Sequence, residues 1–128
     1  MLNQSGINKT VGTAPVQILF NVQNQMSVGV KIAKNFAGAV TENGRKIVKA
    51  GTPLTGDLTA RDTAFTAAGA DNAVGILLHD VDVTDTDANC SLLIWGFVNL
   101  NRIDSTTAAK INAGVKTALA GKVWFLKD

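Results

Sequence analysis

The run Asn89–Leu100, NCSLLIWGFVNL, is apolar on both sides of any strand it forms, which narrows the folds open to this chain. A period of two places Cys90, Leu92, Ile94, Gly96, Val98 and Leu100 on one side. Ser91, Leu93, Trp95, Phe97 and Asn99 then fall on the other. A sheet with one wet face would alternate apolar with polar residues. Leaving a tryptophan such as Trp95 in water forgoes about 2–3 kcal/mol of burial. The strand must therefore be enclosed by a folded-over sheet or covered by a second subunit. On the second solution, Leu93, Trp95 and Phe97 are candidate subunit-interface residues.

The remaining segments predict a mostly β chain with one short helix. Val16–Phe20 is short and strand-like, and Val28, Val30 and Ile32 alternate onto one face. Glu42-Asn43-Gly44 predicts a hairpin turn, because Asn-Gly supplies the two positive φ angles of a type I′ connection. Ala50-Gly51-Thr52-Pro53-Leu54 reads as a corner, since Pro53 lacks the donor that a central ladder needs. Phe65 is the one large anchor of a small-residue stretch. Val74–Leu78 reads as a short buried strand, Thr84–Ala88 as a turn, and Lys122–Leu126 as the closing strand. Between them, Asp104 or Ser105 caps a helix of about two turns with Gly114 as its stop.

At 128 residues the chain fits one domain whose core folds without a disulfide. Only 17% of residues are charged, so much of the surface is Asn, Thr, Ser, Gln, Gly and Ala. Charge is uneven: residues 1–50 carry six basic groups against Glu42, a balance of +5, and residues 51–128 carry six against nine, a balance of −3. Such a division could support head-to-tail docking. The basic residues are scattered without interleaved aromatics, so direct nucleic-acid binding is not expected. No run approaches the ~18–20 apolar residues that span a bilayer, and MLNQSGINKTVG lacks the pattern of a signal peptide. Synthesis in a cytoplasm is expected.

Catalytic chemistry finds little purchase. His79 is the sole histidine and Cys90 the sole cysteine, with no oxyanion-hole motif or third orienting group beside them. Cys90 reads as a buried thiol and His79 as a strand-end hydrogen bonder. Asp80, Asp82, Asp85 and Asp87 would suit Ca²⁺ if they converged, but the glycine and terminal Glu of an EF-hand loop are missing. A solvated acidic loop is the expectation. No catalytic, cofactor-binding or metal-binding residue is assigned, and no cofactor is implied. Glycines occur nowhere as a phosphate cradle.

Four linked motifs then carry a resemblance. They are RKIVKAGTPL at Arg45–Leu54, GADNAVGILLHDVDV at Gly69–Val83, SLLIWGFVNLNRI at Ser91–Ile103 and GKVWFL at Gly121–Leu126. In that order the chain resembles the head decoration proteins of tailed bacteriophages, the family of the lambda head-stabilising protein D. The resemblance implies a compact β-clip-like body, a small barrel or sandwich, at residues 31–128. Residues 1–30 would be an extended amino-terminal arm with possible short strands, contacting the major capsid protein. It further implies a non-enzymatic homotrimer on the outer capsid surface of the virion, produced in a bacterial host, with no membrane partner. The longer front half also admits a head-fibre base or a host-surface-binding module.

Overall fold

The computed structural model describes residues 17–34, 36–69 and 71–127. Among these lie strands β1 (Met26–Ile32), β2 (Val40–Glu42), β3 (Arg45–Val48), β4 (Pro53–Thr55) and β5 (Thr66–Ala67). They are followed by β6 (Gly75–Leu77), β7 (Val81–Asp82), β8 (Ala88–Asn99) and β9 (Val123–Leu126). The larger sheet runs β1-β8-β6-β4-β5, with β9 added parallel to β8; the smaller runs β2-β3-β7. This is a mainly β domain of two small sheets. The two ends of the larger sheet approach each other at a single bridge between Ile32 and Phe65, where the Phe65 N–H donates to the Lys31 carbonyl at 2.7 Å. One bridge falls short of the ladder that would close a barrel.

That folding-over accounts for the two apolar faces of β8. Leu92 belongs to one core cluster with Val30, Ile32, Val48, Leu54, Phe65, Leu77 and Val83. Its neighbour Leu93 belongs to a second, with Ile18, Leu19, Ile76, Val98, Val115 and Leu119. Both residues are fully buried, so the chain covers both faces of this part of β8 by itself. Leu93 is thereby removed from the candidate subunit interface. The strict alternation also fails farther along. The β1–β8 register slips between Met26 and Ser27, which pair with Trp95 and Leu93, leaving Ile94 as an extra residue. A bulge of this kind exchanges the faces of all that follows. Val98 consequently joins Leu93 in one cluster, while Trp95 turns outward.

The Asn43-Gly44 turn forms with φ of 52° and 77°, and Val30 and Ile32 are buried as their alternation requires. Pro53 is not at a sheet margin: β4 lies between β5 and β6. It is accommodated as the first residue of its strand, where the Gly51 N–H bonds the Leu77 carbonyl at 2.8 Å and the Pro53 carbonyl accepts from Ala68 at 3.0 Å. The expected single helix is two, α1 (Ser105–Ala108) and α2 (Ala113–Ala118), after a 3₁₀ turn at Leu100–Arg102. Asp104 caps the first through the Thr107 N–H at 3.2 Å. Asn112 caps the second through the Val115 N–H at 3.0 Å, so Gly114 lies inside a helix rather than ending one.

Residues 17–30, expected within the arm, pack into the body. Ile18 and Leu19 are buried, the Asn99 N–H bonds the Ile18 carbonyl at 2.8 Å, and β1 pairs along β8. The preceding residues, 1–16, lie outside the described part of the chain.

Candidate interaction surface

The carboxylates of the acidic segment, Asp80, Asp82, Asp85 and Asp87, do not converge on a common site. Each is held by cations or backbone donors from residues 31–50. Arg45 bonds Asp82 through Nε at 2.8 Å and Asp85 through Nη2 at 3.0 Å. Lys49 bridges Glu42 and Asp80, both at 3.1 Å, and the Ala50 N–H donates to Asp80 at 2.8 Å. Asp87 accepts from the Lys34 N–H at 3.0 Å and lies 3.9 Å from the Lys31 ammonium. The basic front and the acidic segment thus neutralise each other within one chain, tying β3 and β7 together at the surface. Among the described residues no cluster of three His, Cys, Asp or Glu has metal-site geometry.

Arg45, followed by the Thr84 hydroxyl and N–H, holds the Asp82 carboxyl down at about 2. A folded-state value below the ordinary 3.8 contributes stability that is present above pH ~4 and lost as pH falls towards 2. Acid titration of the melting temperature should therefore be shallower between pH 4 and 2 in Asp82→Asn than in the parent, with little difference in slope at neutral pH. Identical slopes would mean that the exposed pair is too well screened to matter.

Cys90 lies on β8 opposite Val30, half-buried against the first cluster. Burial pushes its thiol up to about 11, so it stays protonated at neutral pH and packs as a hydrophobe. His79 is exposed just beyond β6.

What the strands do assemble at the surface is aromatic. Phe97 of β8 pairs with Trp124 of β9, and their rings stack with centroids 5.1 Å apart and planes 22° apart. Trp95 meets both edge-on, each at 5.9 Å. Such contacts add about 0.5–1.5 kcal/mol each beyond burial. Even so, Trp95 remains 41% exposed and Trp124 38%. The face continues outward on both sides. Met26 pairs with Trp95, and the Phe20 N–H donates to the Phe97 carbonyl at 2.7 Å, beside the Leu19–Val98 bridge. Leu126 follows two residues after Trp124 on β9. Phe20, Met26 and Leu126 are all exposed.

Of the three interface candidates, Trp95 and Phe97 reach this surface, and Leu93 does not. Trp124 was visible in the sequence as part of the apolar closing strand. Phe20 and Met26 were not, because only long-range pairing with β8 brings them here. The turn Asn21–Asn24 borders the face with neutral amides and is fixed locally: Asn21 Oδ1 accepts from the N–H groups of Gln23 at 3.0 Å and Asn24 at 3.3 Å. No protein-family model matches the chain, and no curated protein matches it.

Proposed function

We propose that this protein is a non-enzymatic capsid decoration protein, binding the outer surface of a bacteriophage head and stabilising the shell as trimers. The observation that carries the reading is the exposed aromatic face of β8 and β9. An apolar surface of this kind marks a docking site on a folded protein. The order of the four sequence motifs supplies the kind of assembly, and with it the finer β-clip assignment of the body. The major capsid protein is the second partner, reached by the amino-terminal segment. A chain segment of low charge attaches through main-chain hydrogen bonds to a sheet edge, which needs no side-chain chemistry. Many repeated sites on a shell then stabilise it by mass action. A fibre base or host-surface module would call for an aromatic surface remote from the amino-terminal segment. Here the face adjoins Phe20 and Met26, immediately after that segment.

The test is co-sedimentation with undecorated expanded heads. Full-length protein should saturate them, and a variant lacking residues 1–15 should remain folded yet lose most of its occupancy. Unchanged occupancy of the truncated chain would place attachment in the body.

A further inference from the structure

We propose that the basic lobe formed by α1, α2 and β9 docks onto an acidic protein surface. That surface is the outer face of the shell, an assignment that rests on the decoration reading. Residues 100–126 carry Arg102, Lys110, Lys116 and Lys122 against Asp104 alone, a balance of +3. Residues 51–99 carry Arg61 against seven aspartates, a balance of −6. A basic carboxyl-terminal stretch thus follows an acidic middle.

The acidic middle spends its charge on the front of the chain. Asp80, Asp82, Asp85 and Asp87 meet Lys31, Arg45 and Lys49 around β3 and β7. Among the described residues, no carboxylate forms an ion pair with Arg102, Lys110, Lys116 or Lys122. Arg102 Nη1 and Lys110 Nζ donate to the carbonyls of Gln17 and Gly38, at 3.3 and 3.4 Å, which carry no counter-charge. The one acid of the stretch, Asp104, is engaged by the Thr107 N–H and hydroxyl at the start of α1.

The fold gathers these unopposed cations on one lobe. The elements that carry them pack over the second core cluster through Ile103, Ile111, Val115, Leu119 and Val123. Lys116 stands on α2 one turn before Leu119, whose carbonyl accepts from the Lys122 N–H at 2.9 Å. The Lys122 carbonyl accepts in turn from the Gly96 N–H at 2.9 Å, which fixes it beside β8. Alternation along β9 sets Lys122 on the side of Trp124, at the margin of the aromatic face. Arg102, Lys116 and Lys122 are all exposed. Unpaired cations on one lobe set up a field that draws in a negatively charged partner and fades with salt. Four cations on separate short elements fit a discrete acidic patch on a protein. A nucleic acid would call for a longer basic run to follow its phosphates.

Co-sedimentation with undecorated expanded heads tests this from about 0.1 to about 1 M NaCl, over which the screening length falls from about 10 to about 3 Å. An exposed ion pair changes an equilibrium by about 1.5- to 5-fold. Half-saturation of the parent should therefore move to at least about ten-fold higher protein concentration across the series. The double variant Lys116→Gln and Lys122→Gln should bind about five-fold more weakly than the parent at low salt and equally at high salt. Lys34→Gln with Lys46→Gln removes the same charge from beside the aspartate segment, where their N–H groups bond Asp87 and Thr84, and should bind as the parent does. Neither Lys116 nor Lys122 has a side-chain partner among the described residues, and Gln suits a helix as well as Lys, so melting temperatures should stay near the parent's. Either single variant, with about a two-fold loss, suffices if the double variant fails to fold. Parent binding that ignores salt, or equal losses in the two double variants, would overturn the assignment and leave the decoration reading standing. So would Lys122-dependent retention of duplex DNA in a gel shift at about 0.1 M NaCl, since a nucleic acid would then be the occupant. A parent that binds no heads at any salt would defeat the decoration reading, and this assignment with it.

Discussion

Deleting residues 1–24 should unfold the protein, whereas deleting residues 1–15 should leave its melting temperature within about two degrees of the parent. The difference lies in the short stretch after residue 16. Ile18 and Leu19 are 1% and 4% exposed and sit in the cluster with Leu93, Val98 and Val115. The longer deletion also strips the Ile18 carbonyl from the Asn99 N–H and the Phe20 N–H from the Phe97 carbonyl. Emptying one buried Leu or Ile site costs about 2–5 kcal/mol. Losing two together removes a large share of the roughly 5–15 kcal/mol by which a domain of this kind is stable. The paired substitution Ile18→Ala and Leu19→Ala should reproduce most of the effect without shortening the chain. Urea titration followed by tryptophan fluorescence reads it. A cooperative transition near the parent midpoint for the longer deletion would show that these contacts are dispensable.

Gly75→Ala should be nearly as damaging. A Cβ at that position would stand 2.6 Å from the Leu93 carbonyl oxygen and 2.6 Å from Leu92 Cγ. The first of these is backbone, fixed by the β6–β8 ladder that pairs Ile76 with Leu93. Relief requires separating two central strands, so a loss of at least about 3 kcal/mol is expected, at the upper end for overpacking. Gly29→Ala is the control. Nothing lies within 4 Å of a Cβ there, and replacing a strand glycine by alanine gains about 0.5–1 kcal/mol of backbone entropy. Thermal melts of the two variants should move in opposite directions. A Gly75→Ala protein as stable as the parent would mean that β6 and β8 have room for a methyl group between them.

Much of the local structure was legible because it depends on neighbours in sequence. Asn43-Gly44 specifies its turn whatever surrounds it, and the alternation at Val28, Val30 and Ile32 identifies a buried face. Strand β8 departs from its local pattern partway along. A period of two was correct as far as Leu93, but the bulge opposite Met26 and Ser27 reversed the faces beyond it. A bulge depends on how two distant strands register, and one strand's sequence carries little trace of that. The same limit hid Phe20 and Met26 from the candidate surface. It also hid the pairing of the basic front with the acidic segment, since Arg45 and Asp82 lie far apart in the chain and meet only when β3 joins β7. Helix length failed for another reason. Asn112 is an N-cap residue by composition, and a second cap inside one predicted helix marks a restart.

The decoration reading is tested most directly by imaging heads reconstituted from expanded, undecorated shells and this protein. Reconstruction should show three-lobed density on the outside of the shell at three-fold and quasi-three-fold positions. The aromatic faces of the copies should turn towards one another, with the amino-terminal segments running onto the capsid protein. Smooth shells at saturating protein, or density confined to isolated single copies or to fibre attachment points, would contradict the account.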